Sequence, residues 1–259
     1  MSAALGAQVG EMARRSVIQT LRQPAQIVPP LTFPLLLLAV NVGGLDAATR
    51  LPGFPADDYL DFAIAIAFIQ AAMFAMVNAG TSLSRDVQTG FLKRLALTPM
   101  QRAALLLGNL AGVMVVTLVS GLVYLVVGFA AGMDFRAGPL GVVVLLALAL
   151  LIGLAFAALG AAVGLRAGNG EAVQGFFPVV FVLLFLSSML LPRDLIEQDW
   201  FRTVATVNPV SYLIEGMRSL VITGWDAEAL ALGFGVAAAI LVAGTLAAQR
   251  TLRTRLLRT

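Results

Sequence analysis

The feature that most constrains this chain is a succession of long apolar blocks. Each approaches the ~20 residues that a helix needs to cross the hydrocarbon core of a bilayer, and the block over 139–166 carries no charge before Arg166. Half-buried elements of soluble proteins show short alternating or 3.6-period stripes instead. Hydrophobic residues make up 59% of the 259 and charged residues 12%, whereas a soluble domain carries about 25% charged residues. The blocks predict an all-α integral membrane protein.

Six spans are expected at about 27–44, 59–82, 103–131, 139–166, 172–191 and 227–248. Ahead of them, residues 5–23 place Val9, Ala13, Val17 and Leu21 on one side and Arg14, Arg15 and Arg22 on the other, the pattern of an amphipathic interface helix lying on the membrane. Pro24, Pro29 and Pro30 should break that helix, Pro34 should kink the first span, and Gly43-Gly44 should end it. The segment 192–226 is too polar to cross, yet its stretch from Val204 to Val221 is too apolar for a plain loop and contains Asn208-Pro209. This predicts a re-entrant pair of short helices over about 195–222, shielded by protein or headgroups. No long repeat or linker divides the chain, so 1–259 reads as a single membrane domain. The start of the sequence lacks the apolar run and cleavage site of a removable signal peptide.

An even number of spans puts both termini on one side. If that side is cytoplasmic, the inner segments hold twelve of the 17 basic residues, as the positive-inside rule requires. The outer loops then hold most of the acids, among them Asp57, Asp58 and Asp61. Small residues recur at four-residue spacing in Gly108/Gly112 and Gly160/Gly164, which suits close helix packing within the chain or a dimer seam.

With no cysteine and no histidine, disulfides, thiolate nucleophiles and the commonest metal ligand and general base are excluded, and no catalytic residue or metal site is expected. A net charge of +3 with arginines beside apolar blocks argues against nucleic acid as a partner. A P-loop needs a lysine after a glycine-rich turn; the single lysine, Lys93, is preceded by Phe91-Leu92. No cofactor is expected in this chain. Coupling to an ion gradient would call for charges buried mid-span, and the spans offer only uncharged groups such as Gln70, Asn78, Asn109, Thr117 and Ser120. A secondary transporter is thereby disfavoured. An integral lipid-modifying enzyme is the rival of another class, but Asp57, Asp58 and Asp61 stand without basic or aromatic partners.

Two segments carry mechanism. Between the second and third spans, Ser84 can cap a short amphipathic helix over about 85–98, with Phe91, Leu92 and Leu95 on its apolar side, Lys93 and Arg94 on its charged side, and Thr98-Pro99 as its stop. Such a helix can press into a groove on a soluble partner or lie on headgroups. Before the last span runs Asn208-Pro209-Val210-Ser211-Tyr212-Leu213-Ile214-Glu215-Gly216-Met217-Arg218. There Glu215 and Arg218 are expected to pair with each other, since ionisable groups are costly at membrane depth.

Gly90, Arg94, Leu95, Thr98 and Pro99 match the Gly-x-x-x-Arg-Leu-x-x-Thr-Pro coupling loop of the permeases of type-2 ABC exporters, and the chain resembles the bacterial daunorubicin/doxorubicin-resistance kind. Lys93 departs from the acidic residue that many relatives carry. Asn208, Pro209, Tyr212, Glu215 and Arg218 match that family's second block. The resemblance implies a permease of an ATP-binding-cassette exporter whose coupling helix docks on a separate ABC ATPase. It further implies two ATPase copies binding ATP and Mg, a second permease protomer, most simply in a homodimer, and a bacterial inner membrane with both termini cytoplasmic. The substrate it implies is a hydrophobic drug-like or lipid-like molecule. For its path, Phe62, Ile66 and Met73 of the second span and Phe177, Phe181 and Phe185 of the fifth are candidates, on faces that lipid contact or packing would equally explain.

Overall fold

The computed structural model describes residues 2–91 and 102–257, and regular structure among them is helical throughout. The helices are α1 (Ser2–Leu21), α2 (Pro24–Leu45), α3 (Tyr59–Gln88), α4 (Arg102–Ala130), α5 (Gly138–Ala167), α6 (Gly170–Phe185), α7 (Asp199–Val207), α8 (Pro209–Ile222) and α9 (Ala227–Leu257). Among the described residues, five segments are long and apolar enough to cross a membrane: Pro24–Arg50, Tyr59–Gln88, Gly108–Ala130, Gly138–Ala167 and Ala227–Arg255. The block expected to span 172–191 forms the 16-residue α6. At 1.5 Å per residue it covers about 24 Å of the ~30 Å hydrocarbon core.

Helix α3 is the centre of the bundle. Its Tyr59, Phe62, Ala63, Ile69 and Met76 have no exposed surface, and α2, α4, α5, α6 and α8 all pack on it. Asp58 starts it by accepting a hydrogen bond from the Leu60 N–H at 2.7 Å. Helix α5 crosses α3 backbone to backbone. A Cβ on Gly160 would lie 1.9 Å from the Met76 carbonyl oxygen, and one on Gly164 would lie 2.1 Å from that of Gly80. Only glycine fits such a crossing. Gly108 and Gly112 accept Met12, Ser16 and Thr20 of α1 in the same way. These small-residue pairs thus serve packing within the chain.

Pro24 opens α2 at the expected break, but the other prolines act differently from expectation. The break between α1 and α2 falls at Gln23, and Pro29, Pro30 and Pro34 all lie inside α2, which runs on through Gly43-Gly44 to Leu45. A proline has no N–H, so it leaves the carbonyl four residues earlier without its helical partner. Pro30 frees the Gln26 carbonyl, to which Asn78 Nδ2 donates at 3.0 Å. Pro34 frees the Pro30 carbonyl, to which the Tyr124 hydroxyl donates. Neighbouring helices repair what the sequence of α2 removes, and this lets a proline-rich helix persist.

Helix α1 turns its Met12–Ser16–Thr20 edge toward α4, with Thr20 buried. Ser16 Oγ donates to the Asn109 carbonyl at 3.0 Å. The stripe read as its apolar side faces outward in part, with Leu21 58% exposed. Met12, Leu83, Leu165 and Leu252 meet in one satellite cluster. Helix α1, the end of α3 and the end of α9 therefore share one end of the bundle, called here the termini end.

Candidate functional site

At the termini end, Ser84 does not cap a new helix. It is buried within α3, where its hydroxyl donates to the Thr81 carbonyl at 2.9 Å. Helix α3 continues through 85–88, so the first turn of the expected coupling helix is the last turn of the central span. Thr89 caps it, and Gly90 turns the chain in the left-handed region with φ +69°, a conformation glycine adopts without steric cost. Phe91 follows, packed on the cluster of Leu83, Leu165 and Leu252. Lys93, Arg94, Leu95, Thr98 and Pro99 lie outside the described residues.

Two of the three interface-helix arginines, Arg14 and Arg22, are exposed. Arg15 is not directed to headgroups. Its guanidinium donates to Asp86 Oδ1 at 2.8 Å and Oδ2 at 3.4 Å, and its Cζ lies 4.2 Å from the centroid of the Phe91 ring. Sequence reading missed Asp86, whose i, i+4 spacing from Gly90 gave no sign of a partner 71 residues away.

At the opposite end, the second motif builds a clamp. Asn208 Oδ1 accepts from the Val210 N–H at 3.0 Å and so caps α8, while its Nδ2 donates to the Leu183 and Leu186 carbonyls at 2.6 and 3.0 Å. It thereby secures the end of α6. Pro209 occupies the first position of α8, where a missing N–H costs nothing. Ser211 Oγ donates to the Ala205 carbonyl at 2.7 Å and accepts from the Ser188 N–H at 3.1 Å. The Tyr212 hydroxyl donates to the Thr206 carbonyl at 2.7 Å. The expected re-entrant pair is α7 and α8, locked by its own motif.

Glu215 and Arg218 do not pair with each other. Glu215 accepts from Arg193 at 2.5 Å, and the Arg193 Cζ lies 4.9 Å from the Tyr212 ring centroid. Burial opposes the Arg193 charge, but the Glu215 carboxylate and Tyr212 outweigh it, so its pKa is raised. Arg218 is 6% exposed. Its Nε donates to the Phe62 carbonyl at 2.9 Å, its Nη1 to Ser188 at 3.1 Å and its Nη2 to Met189 at 3.1 Å, with its Cζ 3.4 Å from the Phe62 ring centroid. The guanidinium thus joins α8, the start of α3 and the turn after α6. A planar fork that spreads its donors over three nitrogens reaches three carbonyls set around it, whereas an ammonium carries its three donors on one atom. The Asp57–Asp61 cluster also has partners that sequence reading did not give it: Arg136 lies 3.7 Å from Asp57, and Asp61 accepts from the Asp134 N–H at 3.1 Å.

The candidate path divides in two. Phe62, Ile66 and Met73 are 0%, 2% and 1% exposed, packed among the helices of the protomer, with Phe62 also in the wall of a cavity shared with Arg193, Glu215 and Arg218. Phe177, Phe181 and Phe185 instead lie on a continuous aromatic ladder. Phe177 and Phe181 stack at 5.7 Å, Phe181 meets Phe185 edge-on at 5.1 Å, and Phe177 lies 5.8 Å from Phe74, which in turn lies 5.8 Å from Phe33. The ladder runs from α2 over α3 to α6, and its ends are open, with Phe33 37% and Phe185 46% exposed. Phe33 and Phe74 belong to it and could not be found from spacing within one helix.

Comparison with known proteins bears on the whole arrangement. The family described as "ABC-2 type transporter" matches residues 7–222, from α1 to the end of α8. The chain is 27% identical over 201 residues to the daunorubicin resistance ABC transporter permease protein DrrB1 of Streptomyces coeruleorubidus, covering 76% of this chain and 69% of that one. It is also 27% identical over 198 residues to the "Probable doxorubicin resistance ABC transporter permease protein DrrC" of Mycobacterium tuberculosis, with 76% and 69% covered.

Proposed function

The chain belongs to the ABC-2 type transporter family, and on that premise we propose that it is the membrane half of an exporter driven by a separate ABC ATPase, which binds ATP and Mg. Two copies of the permease, in a homodimer, work with two ATPase subunits. The termini end faces the cytoplasm and the clamp faces outward, in a bacterial inner membrane. A multi-pass membrane protein and a transporter subunit are what the family establishes; the partner, stoichiometry, orientation and cargo are the further reading.

The observation that carries this mechanism is the continuity of α3. Its 30 residues amount to a rod of about 45 Å. One end leads through Gly90 into the segment that matches the coupling loop, and the other holds the Phe62 carbonyl bound by Arg218. Force applied by an ATPase at Gly90 and beyond enters the most buried helix of the bundle and reaches the clamp without crossing a loop. Cargo is a hydrophobic drug-like or lipid-like molecule, moving along the Phe33–Phe74–Phe177–Phe181–Phe185 ladder between the protomers. An aromatic surface suits bulky apolar ligands of varied shape.

Co-purification of the tagged chain with its ATPase tests the reading. Wild type is expected to retain the ATPase. Gly90→Pro with Arg94→Glu is expected to lose it while the permease remains folded, since proline cannot take a positive φ and the charge at the matched arginine is reversed. Retention by the variant would move the contact elsewhere. Failure of wild type to bind any ABC ATPase would overturn the reading.

A further inference from the structure

Arg15 lies 71 residues from Asp86 in sequence, yet it joins three elements at the termini end: α1 through its own backbone, α3 through Asp86, and the segment after Gly90 through the Phe91 ring. The surroundings make this joint unusual. Met12 of the same helix packs with Phe91 and Leu83, while Ser16, Ser82 and Asn109 line a small polar crevice directly beside the Arg15–Asp86 pair. Ser82 Oγ reaches only 3.4 Å from Asn109 Oδ1, and Asn109 Nδ2 has no hydrogen-bond partner. At this level Ser16 bonds α1 to α4, through the Asn109 carbonyl at 3.0 Å and the Gly112 N–H at 3.2 Å, whereas α1 is bonded to α3 through the Arg15–Asp86 pair.

From this geometry we infer that Arg15 is a positioning residue for energy coupling: by binding Asp86 and covering Phe91 it makes α1, the end of α3 and the entrance to the coupling segment move as one body. The inference rests on the exporter reading above. The Arg15 side chain is 39% exposed but that of Asp86 only 10%, so removing Arg15 alone leaves a buried charge unpaired, and the neutral changes Arg15→Gln and Asp86→Asn are read beside the charge reversals to separate coupling from stability. Arg14, one residue away on the same helix, is exposed and is the internal control.

The test uses the full chain purified with its ATPase in proteoliposomes, with retained ATPase, ATP hydrolysis by the complex, and uptake of daunorubicin as probe measured side by side. Arg15→Glu and Asp86→Arg are each expected to keep the ATPase bound while daunorubicin moved per ATP hydrolysed falls about fivefold or more, the low end of ordinary site-to-site coupling. The combined exchange, Arg15→Asp with Asp86→Arg, is expected to recover most of the loss, and Arg14→Glu to cause none. Should charge reversal disturb folding, as judged by gel filtration, Arg15→Gln and Asp86→Asn serve in the same comparison. Unchanged transport per ATP in the Arg15 variants, or a double exchange no better than the weaker single one, would overturn the inference and leave the exporter reading standing. Absence of ATPase from the wild-type complex would overturn both.

Discussion

The Tyr124 hydroxyl of α4 donates to the backbone carbonyl of Pro30 in α2, the acceptor that Pro34 leaves without its helical partner. Tyr124→Phe removes the donor and keeps the ring. It is expected to lower stability in detergent by about 1–2 kcal/mol, within the ~1–3 kcal/mol for an orphaned buried group and the upper range seen for hydrogen bonds in membrane bundles. Pro34→Ala returns an N–H to the same carbonyl. Adding it to Tyr124→Phe should bring the loss well below the sum of the two single changes; simple additivity in thermal unfolding would refute this account.

Gly160 and Gly175 separate packing from propensity. Gly160→Ala puts a methyl group 1.9 Å from the Met76 carbonyl oxygen, so α5 and α3 must move apart. A cost of about 1–3 kcal/mol or more is expected. At Gly175 nothing lies within 4 Å of the added Cβ, and Gly175→Ala should be neutral or stabilising by up to ~1 kcal/mol from helix propensity. Melting temperatures of the two variants decide it.

Arg218 and Arg193 should behave unlike each other although both line the same cavity of about 460 Å³. Arg218→Lys keeps three donors but gathers them on one nitrogen, which cannot occupy the three positions from which Nε, Nη1 and Nη2 reach the Phe62, Ser188 and Met189 carbonyls, and a loss of roughly 3 kcal/mol or more is expected, since each charged hydrogen bond contributes about 1.5–3 kcal/mol. Arg193→Gln breaks a pair whose side chains are 26% and 24% exposed. At most about 1.5–3 kcal/mol is expected there, one charged hydrogen bond against three. Equal losses at the two positions, measured by chemical unfolding, would contradict the assignment of Arg218 as the joint.

Phe181→Ala and Phe62→Ala distinguish path from core. Phe181 lies mid-ladder and partly exposed, and its truncation should alter which substrates are exported while the protein stays folded. Phe62 is fully buried beneath Arg218, so its truncation should cost about 3–5 kcal/mol of stability and reduce yield before selectivity changes. Transport profiles normalised to folded protein would show either pattern.

Much of this architecture was legible in the residues. A bilayer demands long apolar helices with internally satisfied backbones, and that demand is local, so the blocks marked six spans, five of which are long and apolar enough to cross among the described residues, α1 as a separate amphipathic element, and 195–222 as two short helices. Gly90 was read as part of a helix over 85–98, whereas α3 runs on to Gln88 and Gly90 turns the chain at φ +69°, because the sequence does not show how far a central span extends beyond its apolar block. The ending of α6 at Phe185 was not legible either, because hydropathy stays high through Leu191 and the helix stops where Asn208, more than 20 residues on, takes the Leu183 and Leu186 carbonyls.

Partnership was decided by tertiary structure alone. Glu215 and Arg218 stand three apart on one helix face, which suggests a pair, yet Arg193 reaches Glu215 and three backbone carbonyls take Arg218. Arg15 looked like a headgroup contact until Asp86 and Phe91 came beside it. Hydropathy and helical period are set by each segment's own residues against the bilayer. Which polar group meets which depends on how helices far apart in the chain cross, and here the glycine contacts of α3 with α5 and of α1 with α4 fix that crossing.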